Sequence, residues 1–329
     1  KMKNTISSGI RLYTGNTHRF ADGKGTTGSD YDVIIEGLYP RDIHFKSNNA
    51  AVFIENIFRV TEKLLIIPGI RYEWLEGAVS GRNGFNSSGE SINLQNITRS
   101  RSFVLSGIGS EYHLTTNTEF YANFSQAYRP IQFANLQAPP TTDIVDTDLK
   151  DAKGYNIDLG YRGRIKDYLF FDVSGFVLQY NNRIGLIAQQ NLDGSFYNLR
   201  TNVGNSRSTG IEALVEFNPI KAWSSNKKFG NLNFFASIAI INAKYQSLQV
   251  ITRQGNTLVE KNLRNNRVEN APENIIRTGI TYTKKSFILT TQYSYVSEGA
   301  KYYYYGYQNI DYIINNLRNE NQSDLQEMH

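Results

Sequence analysis

The side chains that most often carry catalysis or hold metals are spread thinly along this sequence. Its four histidines stand far apart, without the spacing of a metal-ligating motif; they are His18, His44, His113 and His329. Cysteine is absent, so neither a thiolate metal site nor a disulfide is available. We therefore expect isolated histidines that are solvated or face a barrel lumen, no bound metal and no cofactor.

Short catalytic motifs are also absent from the sequence. There is no G-x-S-x-G, H-E-x-x-H or Walker-type stretch. Gly107-Ile108-Gly109 lacks the third glycine and the following helix that a dinucleotide site needs. Glu212 and Glu216 share one face of a predicted strand, where lining a polar interior explains them more simply than acid–base catalysis. The sequence predicts that the protein is not an enzyme.

The elements that must position these residues are long strands of alternating polarity. In residues 107–130, Phe120, Ala122 and Phe124 alternate with polar neighbours, which is typical of a sheet with one apolar and one wet face. Residues 152–162 show the same pattern, with Ile157 and Leu159 on the apolar face. We predict strands over 3–14, 50–60, 64–75, a hairpin over about 101–128, and then 152–162, 168–180, 208–217, 231–245, 275–282 and 287–296.

The connections between the predicted strands alternate between short turns and long polar loops. The long loops are predicted over about 15–47, 79–99, 129–151, 181–207 and 246–271. Short turns on one side and long loops on the other are typical of outer-membrane barrels, and about eleven strands of such length exceed the usual mode. The predicted fold class is all-β, an antiparallel transmembrane β-barrel. A soluble β protein remains an alternative.

Composition agrees with this interpretation without proving it. The 329 residues include 22 Tyr and 18 Phe, which suits interfacial aromatic girdles, although soluble all-β proteins can also be rich in Tyr. The formal net charge is +5, with Lys and Arg scattered along the chain. This is weak evidence for anionic ligands and none for nucleic acid.

Several segments, taken in order, resemble the TonB-dependent outer-membrane receptors, and most closely their ferric-citrate branch. The carrying stretches are AAVFIENIFRVTEKLLIIPGIRYEW, EYHLTTNTEFYANFSQAYRP, GYNIDLGYRG, FVLQYNNRIG, VGNSRSTGIEALVEF, FFASIAIINAKY and VENAPENIIRTGITY. The resemblance covers about residues 1–300. Residues 301–329, with the tyrosine run Tyr302–Tyr305, are left as an unassigned tail or a truncated outer loop.

The resemblance implies a barrel of about twenty-two strands in the bacterial outer membrane, filled by a plug domain. The plug, its energy-coupling box and some strands at both ends are expected outside this sequence, so the chain would be an internal portion of a receptor. The implied function is binding and import of a ferric chelate. The implied partners are that chelate, outer-membrane lipid and a TonB-type energy-coupling protein that acts through the plug.

The resemblance also suggests ligand-binding residues. A chelate such as diferric dicitrate is anionic, and guanidinium groups bind carboxylates through paired hydrogen bonds. The arginines predicted to lie in outer loops are Arg41, Arg129, Arg253, Arg264 and Arg267. Arg41-Asp42 resembles an Arg-Asp pair of the ferric-citrate receptors, and Gln189 and Gln190 match a loop that supplies a glutamine there. The predicted site is Arg41, Arg129, Gln189 and Gln190; the alternative is that these are ordinary solvated loop residues.

Three other functions remain open at this point. The chain could belong to a passive outer-membrane pore or structural barrel, which would need no plug. It could come from a TonB-dependent receptor for a nutrient other than iron. A soluble carbohydrate-binding β protein would instead be recovered without detergent.

Overall fold

The computed structural model describes residues 3–29, 34–94, 96–131, 143–224 and 229–298, and these form one large sheet. Its strands are β1 (Lys3–Ala21), β2 (Arg41–Arg59), β3 (Leu64–Phe85), β4 (Ser91–Asn93), β5 (Ile97–His113), β6 (Thr118–Arg129), β7 (Asp143–Val145), β8 (Ala152–Ile165), β9 (Leu169–Gln190), β10 (Phe196–Phe217), β11 (Asn231–Gln254), β12 (Thr257–Asn262), β13 (Asn274–Lys284) and β14 (Phe287–Val296).

Eleven long strands follow one another across the sheet in the order of the chain, β1-β2-β3-β5-β6-β8-β9-β10-β11-β13-β14, and each pairs antiparallel with the next. The short strands β4, β7 and β12 pair with β3, β10 and β11. Within the described ranges, β1 and β14 each have one neighbour. The prediction of an all-β antiparallel fold with about eleven long strands is confirmed.

One face of the sheet carries a continuous apolar band. Across β6, β8 and β9, Phe124 is opposite Ile157, and Ile157 is opposite Val177. These side chains point outward, and Leu159 is 63% exposed although it lies at the middle of β8. Large apolar side chains exposed at the centre of long strands are what a lipid-facing surface requires.

The opposite face is polar, particularly near the short turns. Arg162 on β8 donates through Nε to Glu119 Oε1 of β6 at 2.6 Å. Tyr121 donates to Asp172 Oδ1 at 2.9 Å, and the Arg162 guanidinium lies over the Tyr121 ring. The facing predicted for β8, with Leu159 and its neighbours on the apolar side, agrees with this arrangement.

The strands extend further at one end than the sequence predicts. β9 and β10 continue through the predicted loop 181–207 and are joined only by residues 191–195. β1 reaches Ala21 and β2 already begins at Arg41, so both ends of the predicted loop 15–47 are also strand. The predicted loops 181–207 and 15–47 are therefore wrong in extent, and the connections do not alternate strictly between short and long.

The reason for these errors is a change in which face is apolar. In the outer extension of β2, Ile43 and Phe45 are buried, with 0% and 6% exposure, while His44 and Lys46, which alternate with them, are exposed. Lower on the same unbroken strand, the even-numbered Val52 and Ile54 form the exposed apolar face instead. When the apolar residues move from one face of a strand to the other, the alternation is interrupted. The pattern then no longer predicts that the strand continues.

The link between β10 and β11 contains a short helix, α1 (Pro219–Trp223). The Asn218 side chain accepts from Lys221 N at 2.9 Å and caps its N-terminus, with Pro219 in the first turn. Trp223 is 81% exposed and meets Phe217 edge to face, with ring centroids 5.8 Å apart. No described helix is long and apolar enough to cross a membrane.

The other tryptophan lies towards the opposite end of the apolar band. Trp74 on β3 follows Tyr72 on the outward face, and its indole Nε1 donates to Ser100 Oγ at 2.9 Å. The chain contains two tryptophans, so they lie near the two opposite boundaries of the band. The predicted tail 301–329, with Tyr302–Tyr305, lies outside the described residues.

Candidate functional site

The outer ends of the long strands and the loops between them pack into two apolar clusters on the inner face. The first cluster consists of Ile43, Phe45, Val79, Leu94, Ile131 and Leu149, with Ile97, Val145 and Ile184 against it. The second consists of Ala243, Tyr245, Leu248, Val250 and Val268, with Val203, Ile241, Leu263 and Ala271 against it. They hold the outer loops in defined positions around an inner surface on which several arginines lie.

Arg41 is the first residue of β2, so its predicted position in a loop is wrong. It is opposite Ala21 of β1 and Asn83 of β3, two positions before the fully buried Ile43. Its Nε lies 2.8 Å from Asp22 Oδ2, in a pair that is about half exposed. The guanidinium is therefore held at the rim of the first cluster but is still reached by solvent.

Arg129 is the last residue of β6, two positions before Ile131 of the same cluster. Its Nη1 donates to Tyr180 Oη of β9 at 3.4 Å. Arg41 and Arg129 therefore each lie two residues before a member of the same apolar cluster, which sequence separation alone does not reveal.

Arg183 is a residue that the sequence analysis missed as a site candidate. It lies next to Ile184, which packs on the first cluster, and its Nη1 donates to Ser206 Oγ at 3.1 Å. The guanidinium lies 5.2 Å from the ring centroids of both Tyr180 and Tyr245. Its only sequence signal is the preceding Asn-Asn pair, because Asn182 adopts φ 58°, which the small Asn side chain tolerates.

A carboxylate is already present beside Arg183. Glu269 Oε1 lies 3.5 Å from Arg183 Nη2, and the Tyr245 hydroxyl donates to the other oxygen of the same carboxylate. Burial of Tyr245 in the second cluster fixes this arrangement. The arginine is thus held in a geometry that already binds a carboxylate.

Gln189 and Gln190 lie at the tip of the β9–β10 hairpin, opposite Tyr197 and Phe196. Gln190 Nε2 donates to Gly194 O at 3.0 Å within the hairpin. The Arg253 guanidinium lies over the Phe196 ring, 4.2 Å from its centroid. Arg253 and Gln190 therefore both lie beside Phe196.

The remaining predicted arginines, Arg264 and Arg267, lie in the β11–β13 loop. Arg267 Nε lies 3.0 Å from Glu273 Oε1, and its Nη2 donates to Glu298 O at 3.4 Å. The backbone N–H of Arg264 donates to Asn262 Oδ1 at 3.0 Å. These contacts connect the β11–β13 loop to the strand ends.

Further arginines attach the β6–β8 loop to the wall. Arg99 donates to the backbone oxygens of Leu149 and Asp146, and Arg101 Nε lies 2.6 Å from the Asp151 carboxylate. The Thr201 hydroxyl, which donates to the Asp146 side chain, and the backbone N–H of Asp148 lower the pKa of Asp146 below its usual range. Asp146 therefore stays ionised at the loop.

The histidines are not all isolated, so that part of the sequence analysis is wrong. His18 lies directly opposite His44 in the β1–β2 ladder, with Asp42 beside both. His113 Nδ1 lies 2.9 Å from Glu119 Oε2. His329 lies outside the described residues. The separation of His18 and His44 in sequence conceals their contact because both fall in a predicted loop.

The family model described as "TonB dependent receptor-like, beta-barrel" matches residues 3–322. The chain belongs to the TonB-dependent receptors. Barrels of this family lie in the bacterial outer membrane, so the predicted localisation is confirmed, and the family consists of receptors and transporters, not enzymes. No curated protein matches the chain in sequence.

Solved structures of TonB-dependent receptors share the fold at low sequence identity. The ferric-catecholate import receptor Fiu from K12 E. coli has 15% identity and a TM-score of 0.63, covering 91% of this chain and 43% of its own. The unliganded ferric citrate transporter FecA has 18% identity and a TM-score of 0.63, and the match covers 90% of this chain and 39% of FecA. The copper transporter OprC has 18% identity and a TM-score of 0.63, and the match covers 89% of this chain and 42% of OprC.

The chain therefore spans about two fifths of the length of these structures, since 39–43% of each is covered. At such identities the likeness establishes the fold and leaves the ligand to be argued from this chain's own residues.

Proposed function

We propose that the complete receptor binds an anionic ferric chelate, such as ferric citrate, at the inner surface of its outer mouth and imports it. Energy for import would come from a TonB-type protein acting through a plug domain. The observation that carries the proposal is the placement of three arginines at the outer strand ends. Arg41 and Arg129 each lie two residues before a member of the first cluster, and Arg183 lies over Tyr180, the side chain to which Arg129 donates.

The chemistry of these groups suits a carboxylate-rich chelate. A guanidinium offers planar, paired donors that match a carboxylate, and its bonds to charged acceptors are stronger than neutral ones. Arg41 pairs with Asp22 and Arg183 with Glu269, so each already binds a carboxylate of the protein. An incoming chelate would replace these side chains with its own carboxylates.

The test is titration of ferric citrate into the detergent-solubilised full-length receptor. Arg41→Ala is expected to weaken binding about tenfold or more, because charge-assisted hydrogen bonds contribute about 1.5–3 kcal/mol each. Arg41→Lys should recover only part of the loss, since an ammonium keeps the charge but not the planar fork. Arg129→Ala, Gln189→Ala and Gln190→Ala in parallel define how far the site extends.

The matched control is Arg59→Ala. Arg59 ends the same strand at the opposite side of the membrane, so its removal deletes the same charge far from the mouth. Equal affinities for the Arg41→Ala and wild-type receptors would remove Arg41 from the site. An equal loss with Arg59→Ala would show that overall charge, and not a local contact, governs binding.

A receptor for a nutrient other than iron remains the second candidate. It is supported by the structural neighbour named as a copper transporter, whose TM-score of 0.63 equals that of the ferric citrate transporter. Growth under iron limitation with different chelates, compared in cells with and without the complete gene, separates the two. A passive pore would instead give steady open-channel conductance from the wild-type protein.

A further inference from the structure

A cluster of two imidazoles and a carboxylate lies on the outward surface of the outer wall. The His18 and His44 rings stack with centroids 3.8 Å apart and planes inclined by 24°. His18 Nε2 lies 2.5 Å and His44 Nε2 3.5 Å from the same oxygen, Oδ1 of Asp42. All three potential ligand atoms lie within 4.8 Å of one another. Three donors from two adjacent strands thus converge on one point.

We propose that His18, Asp42 and His44 bind a divalent transition-metal ion of the Zn²⁺ or Cu²⁺ type. Two imidazole nitrogens and a carboxylate form the donor set that such borderline ions prefer. At metal–ligand distances of 2.0–2.2 Å, tetrahedral ligand atoms stand about 3.4 Å apart. The His44–Asp42 distance of 3.5 Å already fits, and the His18–Asp42 distance of 2.5 Å must widen as the metal replaces their hydrogen bond.

The backbone around the cluster is regular, so the donors are placed without help from a loop. β1 and β2 pair without interruption from Lys3–Arg59 to Ala21–Arg41, and β2 continues against β3 on the other side. The three side chains share one face because His18 is opposite His44 and Asp42 lies two residues along β2. A recess beside the histidines is also lined by Lys46 and Ser80.

The charged neighbours leave the carboxylate available. Arg82 Nη2 approaches the other Asp42 oxygen only to 4.0 Å, and it donates instead to Tyr39 O at 2.8 Å. Its Nε donates to Pro40 O. The side chains of His18, Asp42 and His44 are 37%, 34% and 59% exposed, so an ion from the medium can reach them.

In a second group of possible ligands, Glu111, His113 and Glu119, the carboxylates are not available in this way. Its ligand atoms also lie within 4.8 Å of one another. However, Arg162 Nε lies 2.6 Å from Glu119 Oε1, and its Nη2 lies 3.4 Å from Glu111 Oε1. A guanidinium that already neutralises both carboxylates competes with a metal ion. The comparison favours the cluster on the outer wall.

The position separates this site from the proposed chelate site. Beyond Leu12 on the outward face of β1, Thr14, Asn48 and Glu76 form a hydrogen-bonded polar chain, and Phe20 follows only past His18. The histidines lie further out, on the face opposite the buried Ile43 and Phe45. A metal bound there connects β1 to β2 outside the membrane and outside the mouth.

The experiment uses the full-length receptor, made without a polyhistidine tag and stripped of metal with a chelator. Isothermal titration with Zn²⁺ alone is expected to show a site whose affinity falls about tenfold or more in His18→Gln and in His44→Gln, each change corresponding to one lost ligand. The double variant should bind one Zn²⁺ fewer than the wild type. With Co²⁺ as probe, the visible absorption of a low-coordinate ion should disappear in the same variants.

The matched control is His113→Gln, which removes one imidazole from the other cluster and should leave Zn²⁺ binding unchanged. Ferric citrate titration on the His18→Gln/His44→Gln receptor should match the wild type, so failure of the metal site and failure of the chelate site remain distinguishable. Unchanged Zn²⁺ stoichiometry in the double variant would overturn the proposal. Loss of the ion in His113→Gln instead would move it to the inner cluster.

Discussion

The same strands form the apolar band that faces the membrane, here called the belt, and the outer extension of the sheet beyond it. The apolar side chains lie on opposite faces in these two regions. In the belt, apolar side chains such as Val52 and Leu159 point outward and are exposed on the lipid-facing surface. In the extension, Ile43 and Phe45 point inward and are buried beneath the loops. A single strand such as β2 therefore carries two apolar faces in succession, because the medium outside it changes from lipid to water.

In β11 the reversal includes a change of register. Ile238 and Ile240 are exposed on the outward face, whereas Ala243 and Tyr245 are buried on the inner one. An irregularity at Asn205/Ser206 of the β10–β11 ladder places Ser247 opposite Asn205 and Tyr245 opposite Ser206. The residue that the bulge inserts keeps Leu248 on the buried side.

The largest expected effect tests the buried side of this comparison. Phe45→Ala should lower the free energy of unfolding by about 3–5 kcal/mol, because a cavity forms where loops and strand meet. Val52→Ala, on the same strand in the belt, should cost at most about 1.5 kcal/mol, since lipid fills the space that is left. The measurement is urea unfolding of the full-length receptor from lipid vesicles, with limited proteolysis to detect local opening of the outer loops. Similar losses for the two variants would contradict the reversal.

The second prediction tests the lipid-facing side. Leu159→Arg, at the middle of β8, should cost about 2–4 kcal/mol, because a charge is placed in the hydrocarbon region. Asn156→Arg, on the other face of the same strand, should cost much less. Equal damage in the same unfolding assay would mean that β8 does not present Leu159 to lipid.

The smallest expected effect concerns the polar surface of the extension. Asp22→Asn removes the partner of Arg41 in a pair that is 41% and 54% exposed, and the free energy of unfolding should change by less than about 1 kcal/mol. Asparagine is suitable there because Asp22 adopts φ 62°, which Asn tolerates. If Arg41 binds an anionic chelate, the freed guanidinium should retain or raise the affinity for ferric citrate. A weaker affinity would show that Asp22 positions Arg41.

The sequence predicted the belt well for a physical reason. Along β8, an alternation of apolar and polar residues is sustained across the bilayer, and both the strand and its facing agree with the structure. The extension could not be predicted in this way, because there both faces of a strand meet polar surroundings or folded loops. The predicted loop 181–207 is therefore largely strand, and the predicted loop 15–47 is strand at both ends.

The positions of the proposed ligand-binding residues could be predicted only in part. Arg41, Arg129, Gln189 and Gln190 lie at the outer end, but their grouping depends on loops that pack on apolar clusters, which periodicity does not describe. The contact between His18 and His44 follows from register: Leu12 is opposite Ala50, and the same ladder continued outward brings the two histidines together. The sequence alone could not give this contact, because it did not show that β1 and β2 continue outward as far as the histidines.

The two tryptophans give the molecule an internal measure of depth. Trp74 and Trp223 lie near opposite boundaries of the apolar band, and indoles settle at the headgroup level, where an aromatic ring and an N–H donor are both accommodated. A bilayer that is too thick or too thin must displace at least one of these rings from its preferred depth. Because indole emission reports the polarity around the ring, the fluorescence of Trp74 and Trp223 acts as a gauge of membrane thickness.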